Sequence, residues 1–94
     1  MKKEIKNKIT REEVLDNMQN FITKTIVVFG KPITHVFVKM KNGFILSEST
    51  TCIDPSNYNE KIGEQECLKQ IEERIWSLLG YKLLEDLHNS KTNI

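Results

Sequence analysis

Hydroxyl and amide side chains are concentrated in two neighbouring stretches, and they are the residues best suited to bind a ligand. A polar run occupies residues 47–51, and Asn57 and Tyr58 follow after a short connection. Hydroxyls and free backbone amides are what a phosphate or a ribose needs, and a helix start favours anions. The predicted ligand-binding residues are His35, Ser47, Glu48, Ser49, Thr51, Asn57 and Tyr58. Alternatively, these groups only make hydrogen bonds within a sheet and a helix cap.

The sequence offers little support for catalysis. It contains no glycine-rich phosphate loop, metal-ligand cluster, nucleophile elbow or paired His and Cys signature. His35 is more typical of a structural residue than of a base, and Glu48 has no identifiable second group with which to do chemistry. Cys52 and Cys67 lack metal-ligand spacing and are expected to be free thiols. We therefore predict that the protein is not an enzyme and uses no metal or cofactor.

A β-hairpin must position the polar run. Asn42-Gly43 lies between two apolar runs, which is the strongest short hairpin signal because a type I′ turn needs positive φ at both central residues. A two-residue turn predicts that Met40 faces Ile45, and the remaining register follows from it. One predicted face carries Val36, Val38, Met40, Ile45, Ser47 and Ser49. The other carries Ile33, His35, Phe37, Lys39, Phe44, Leu46, Glu48 and Thr50.

Neither predicted face of this hairpin is fully polar. A sheet in a monomeric two-layer domain normally has one dry and one wet face. Two explanations are open: the stems of Lys39 and Lys41 cover the exposed apolar groups, or the second face meets another copy of the chain.

Helical patterns flank the strands. Thr10-Arg-Glu-Glu13 has the spacing of a capping box, and the apolar residues between Val14 and Ile22 recur with helical period. Strands are predicted at residues 25–29, 33–41 and 44–52. We predict an α+β fold in which a three-stranded antiparallel meander packs against an N-terminal helix and a long C-terminal helix. Residues 1–94 form one domain, and residues 1–8 and 88–94 are expected to be mobile tails.

The C-terminal helix is predicted to carry two faces. Asn57 and Glu60 have cap spacing, so the helix should start near Tyr58, and Gly80 should end or bend it. Its apolar stripe consists of Cys67, Leu68, Ile71, Ile75, Leu78 and Leu79. A second face either packs within the chain or forms a protein interface, where Tyr and Trp are over-represented. The predicted interface residues are Phe37, Tyr58, Ile62 and Trp76.

Charge and hydropathy disfavour two classes of partner. The chain has 14 Lys and Arg against 13 Asp and Glu, and this balance lacks the basic excess of a general nucleic-acid binder. No apolar run approaches the roughly 20 residues of a membrane span, and no apolar segment marks a signal peptide. We expect an intracellular protein with no membrane partner and no nucleic-acid partner.

Several short motifs occur in a characteristic order. They are Thr34-His35, Lys41-Asn-Gly-Phe44, Glu48-Ser49, Cys52-Ile-Asp-Pro-Ser-Asn-Tyr58, Glu60-Lys-Ile-Gly63, Ile75-Trp76 and Leu79-Gly80-Tyr81. Their order and spacing closely resemble the Gp-forty-nine-like family of small bacteriophage and prophage proteins. Ser47 stands where that family usually has Gly, and Tyr58 replaces Phe. The resemblance implies a phage or prophage origin and an accessory role in the host cytoplasm, and it carries no catalytic residues to transfer.

Three hypotheses follow for the function. The first is a homo-oligomer that counters host defence by sequestering a nucleotide signal in a pocket between copies. The second is a protein that blocks a host enzyme or regulator through the face of Tyr58, Ile62 and Trp76. The third, a nucleic-acid-binding accessory protein, is disfavoured because Arg11 and Arg74 are the only arginines.

Overall fold

A three-stranded antiparallel sheet and two helices make up residues 7–92, the part of the chain that the computed structural model describes. The strand order is β1-β2-β3, so the predicted meander and the α+β class are confirmed. The elements are α1 (Arg11–Asn17), β1 (Met18–Val28), β2 (Lys31–Met40), β3 (Ile45–Thr51), a 3-10 turn (Pro55–Asn57) and α2 (Glu60–Thr92). Most of the predicted N-terminal tail, residues 1–6, and the last two residues lie outside the described residues.

The first helix is capped as predicted but is shorter. Thr10 Oγ1 accepts a hydrogen bond from the Glu13 N–H, and the Glu13 carboxylate accepts one from the Thr10 N–H. The prediction that the helix reaches Ile22 is wrong, because β1 begins at Met18 and pairs with β2 along its whole length. The cross-strand partners of these β-branched and aromatic residues therefore outweigh their local helical spacing.

The turn between β2 and β3 contains three residues, and the predicted two-residue turn is wrong. The Met40 N–H donates to the Phe44 carbonyl at 2.8 Å, and the Gly43 N–H donates to the Met40 carbonyl at 2.9 Å. Gly43 has a φ of +90°, as expected for a left-handed residue that closes such a loop. The pairing therefore slips by one residue, and a slip of one moves every β3 side chain to the opposite face.

The slip decides which β3 residues are buried. Val38 pairs with Leu46 instead of the predicted Ser47, and Leu46 is only 2% exposed. Val36 pairs with Glu48, and His35 pairs with Ser49. The face that packs against the helices, called the inner face, includes Thr34, Val36, Val38, Met40, Leu46, Glu48 and Thr50. The buried core joins its apolar members to Val14 of α1 and to Cys67, Ile71 and Ile75 of α2.

The second helix starts later and continues further than predicted. Asn59 caps it by accepting a hydrogen bond from the Ile62 N–H at 3.1 Å, because Asn57 is taken up by the 3-10 turn before it. Gly80 does not end the helix, which continues to Thr92. The C-terminal segment predicted as a tail is therefore helical as far as the description extends.

The opposite side of the sheet, called the outer face, is not covered by α1 or α2. The register places on it Ile22, Lys24, Ile26 and Val28 of β1, Lys31, Ile33, His35, Phe37 and Lys39 of β2, and Ile45, Ser47 and Ser49 of β3. Ile22, Ile26 and Ile45 are exposed. The sheet therefore has one dry face and one wet face that is nevertheless rich in apolar groups.

Candidate functional site

A cavity of about 260 Å³ opens between the end of β3 and the start of α2. It combines hydroxyl, amide, carboxylate and apolar groups. Its lining consists of Thr34, Thr50, Thr51, Cys52, Asn57, Tyr58, Asn59, Ile62, Gly63 and Glu66.

Three elements bring these groups together. The strand β3 supplies Thr50 and Thr51 at its end, and the 3-10 turn supplies Asn57. The helix side of the cavity is lined at positions 59, 62, 63 and 66. Residues spaced by three and four lie on one side of a helix, so this spacing turns them toward the same space.

Tyr58 fixes the floor of the cavity to the sheet. Its hydroxyl lies 2.7 Å from Thr25 Oγ1 and 2.7 Å from Thr34 Oγ1. Thr25 also donates to the Glu60 carboxylate, and Thr23 donates to Glu64. These hydrogen bonds hold the start of α2 on the inner face and give Tyr58 one defined orientation.

The charge in the cavity is negative. Glu66 is the ionisable carboxylate in the lining, and none of the described lining residues is Lys or Arg. Nearby, hydrogen bonds from the backbone and side chain of Ser56 lower the pKa of Asp54. Burial, and then the charges of Glu48 and Glu66, raise the pKa of the Cys67 thiol. The cavity is therefore better suited to a hydroxyl-bearing or amide-bearing group than to a bare phosphate.

The family of the chain is identified by comparison with known proteins. The model of the phage protein (N4 Gp49/phage Sf6 gene 66) family matches residues 2–87. The chain belongs to this family. No curated protein and no solved structure matches it.

Three of the predicted ligand-binding residues of this phage-family chain meet in the cavity: Thr51, Asn57 and Tyr58. Glu48 lies on the inner face, and its carboxylate accepts a hydrogen bond from Arg74 Nη1 at 2.8 Å. The other three, His35, Ser47 and Ser49, lie on the outer face and are not brought to the cavity. The one-residue slip moves Ser47 and Ser49 to the outer face, whereas His35 lies on that face in either register.

The prediction missed most of the helix side of the cavity and part of its sheet side. Thr50 belongs to the inner face through the true register, which the two-residue turn concealed, whereas Thr34 lies on the side of Val36 in either register. The sequence did hold a usable signal on the helix side. Asn59, Ile62 and Glu66 are spaced by three and four just after the cap, where side chains of one helix face converge.

The predicted interface residues of the phage-family chain lie in different places. Phe37 is half-buried on the outer face and stacks on His35 with ring centroids 4.4 Å apart. Tyr58 is held between sheet and helix, and Ile62 lies at the cavity with 59% exposure. Trp76 is 41% exposed in a separate groove along α2. The four residues therefore do not form one surface.

Two further features bear on the kind of site. Among residues 7–92, no group of three His, Cys, Asp or Glu side chains is arranged to hold a metal ion. Over the same residues, no helix combines the length and the apolar character that crossing a membrane requires.

Proposed function

We propose that this phage-family protein is a non-catalytic, homo-oligomeric accessory protein of the host cytoplasm that binds and sequesters a host nucleotide signal of immunity. The observation that supports it is the cavity in which Thr51, Asn57 and Tyr58 meet. Sequestration needs binding groups only, and the described cavity offers hydroxyls, amides and a carboxylate.

The lining groups suit the nucleoside part of such a ligand. Glu66 accepts hydrogen bonds from ribose hydroxyls, and the amides of Asn57 and Asn59 pair with the edges of a base. Ile62 provides apolar contact for the flat base. The phosphates point out of the cavity, because the carboxylate of Glu66 repels them.

Calorimetric titration and thermal-shift assays test the proposal. The ligand panel comprises cyclic dinucleotides, cyclic ADP-ribose isomers and linear nucleotides. Each ligand is tested with the wild type, with Glu66→Gln and with the matched control Glu85→Gln, which changes an exposed residue of α2. We expect one ligand class at 100 times its Kd to stabilise the wild type by about 2.7 kcal/mol. Glu66→Gln should weaken binding about tenfold, and Glu85→Gln should not. The proposal fails if no nucleotide binds, or if both variants bind as the wild type does.

A second candidate function is inhibition of a host protein, and the exposed indole of Trp76 favours it. Trp76 borders a groove formed by Leu68, Lys69 and Glu72 of α2 and by Arg11 of α1. Exposed Trp and Arg side chains are typical interface anchors. Affinity capture from host lysate should then recover a protein that Trp76→Ser loses and that the exposed-site control Leu84→Ser retains. Equal recovery by both variants would rule out this groove.

A further inference from the structure

The tip of the β1–β2 hairpin exposes an aromatic side chain on a residue with a strained backbone conformation. Phe29 is 100% exposed and has a φ of +51°, and Gly30 follows with a φ of +74°. These values define a two-residue turn in which Asn, Asp and Gly are favoured at both positions. A bulky residue with positive φ is an outlier, and such strain is typical of binding and switch regions. The described chain gives this ring nothing to pack against.

The tip continues into the apolar outer face. Ile26, Ile33, Ile22 and Phe37 follow one another along the sheet from the tip toward the opposite end. Three strands of about eight residues span roughly 14 Å by 27 Å, and the side chains that stand on them enlarge the accessible area. The flat area of the face is therefore about 400 Å², and side chains and the tip add to it, against the roughly 600 Å² per partner at which stable interfaces begin.

The far end of this face carries an apolar cavity. A cavity of about 190 Å³ lies there, with apolar walls formed by Ile22, Phe37 and Ile45 and a rim formed by Asn20 and Lys39. The cavity lies over β1 and β2 and extends to Ile45 of β3, and the tip joins β1 to β2. Phe29 and Ile22 are seven residues apart on the chain, which is about 23 Å along a strand.

We propose that two copies of the chain pack outer face to outer face, with Phe29 of each seated in the Ile22–Phe37–Ile45 cavity of the other. A two-fold axis near the Ile26–Ile33 pair, perpendicular to the strands and in the plane between the sheets, reverses the strand direction. It places each tip above the other copy's cavity, so both insertions form at once. The contact is isologous and closed, as expected for a two-fold dimer.

The charged side chains of the outer face predict how the dimer responds to salt. The charged side chains that the register places on the outer face are Lys24, Lys31 and Lys39, with no described carboxylate among them. In the dimer, their stems pack and their ammonium groups reach solvent at the margins. Like charges are screened by salt, so the dimer should tighten as ionic strength rises. An acidic partner protein would instead dissociate under the same conditions.

Sedimentation equilibrium tests the dimer with three chains: wild type, Phe29→Asn and the control Ile53→Asn, whose side chain is 98% exposed in the loop after β3. We expect a wild-type dimer, a Kd at least about tenfold weaker for Phe29→Asn, and no change for Ile53→Asn. Asn accepts positive φ, so Phe29→Asn should also melt no lower than the wild type when both are monomeric. A variant that dimerises more weakly but melts no lower has lost the contact and has kept the fold.

A mutant cycle identifies the receptor. Ile45→Gln should also weaken the dimer, and combining it with Phe29→Asn should add little, because the two residues form one contact. A wild-type chain that remains monomeric at a protein concentration of about 100 μM, roughly 100 times the Kd of a micromolar dimer, overturns the proposal. Unchanged dimerisation by Phe29→Asn, or a dimer that salt dissociates, also overturns it.

This inference rests on the assembly part of the proposed function and names its interface. The ligand cavity lies on the other side of the sheet, so Phe29→Asn should bind nucleotides as the wild type does. A dimer that binds no nucleotide removes the proposed function alone. Nucleotide binding by a strict monomer removes the dimer alone.

Discussion

Gly63 of α2 lies against Thr34 of β2 so closely that a Cβ atom on Gly63 would stand 2.4 Å from Thr34 Oγ1 and 2.7 Å from Thr34 Cβ. Thr34 is fully buried, and its hydroxyl is bonded to Tyr58 at 2.7 Å. Neither partner can move away easily. This contact fixes the height of the helix start above the sheet, and the candidate ligand cavity lies beside it.

Substitution of Gly63 should test this contact directly. Gly63→Ala forces an atom into Thr34 and should lower the free energy of unfolding by about 1–3 kcal/mol. Gly80→Ala is the matched control, because it lies in the same helix and an added Cβ meets nothing within 4 Å. It should raise stability by about 0.5–1 kcal/mol through helix propensity. Urea unfolding measures both, and two changes of the same sign would contradict the close approach.

The Tyr58 hydroxyl should contribute to stability through its two threonine partners. Tyr58→Phe removes the group that bonds Thr25 and Thr34 and should cost about 1 kcal/mol. Tyr81→Phe is the control, because Tyr81 is exposed on α2. Thermal unfolding compares the two, and an equal effect would show that the hydroxyl is not part of the structural network.

The register of β3 can be tested with two adjacent residues. Leu46→Ala should cost about 2–5 kcal/mol, because Leu46 lies in the core. Ile45→Ala should cost far less in the monomer, since Ile45 lies on the outer face. Urea unfolding at low protein concentration is the measurement. The two-residue turn would reverse the order of these effects, because it places Ile45 on the side of Val38 and Met40.

Cys67 should make stability depend on alkaline pH. Burial raises the pKa of its thiol in the folded chain above the value of about 8.5 in the unfolded chain. Above that pH the unfolded chain releases a proton that the folded chain keeps, so stability falls as the pH rises. The stabilising contribution of the protonated Cys67 thiol is fully present below the pKa of the thiol in the unfolded chain.

The measurement is the difference in unfolding free energy between the wild type and Cys67→Ala from pH 7 to pH 10. The stability advantage of the wild type should shrink above about pH 8.5. A constant difference across that range would show that the thiol titrates alike in both states. The same series on Cys52→Ala controls for the second, less buried thiol.

Features that depend on a few neighbouring residues could be predicted from the sequence. The Thr10–Glu13 capping box formed as predicted, because both partners belong to one turn of chain. The reversal at Asn42-Gly43 was also located correctly, since Gly43 supplies the positive φ that the turn needs. The order of the short motifs indicated the phage family that the comparison then showed.

The extent of β1 could not be predicted in the same way. The apolar residues from Val14 to Ile22 fit a helix, and nothing local distinguishes that pattern from a helix followed by a strand. Pairing with β2 decides it, because the ladder from Met18 to Val28 exists only when both strands are present.

The sequence by itself determined the element types, the capped helix start, the place of the hairpin turn and the family. Only the tertiary structure decided which β3 residues reach the candidate site, because one residue in the turn moves Leu46 into the core and carries Ser47 and Ser49 to the outer face. The physical reason is that side chains alternate along a strand, so the burial of Leu46 against α2 fixes the register of the whole strand.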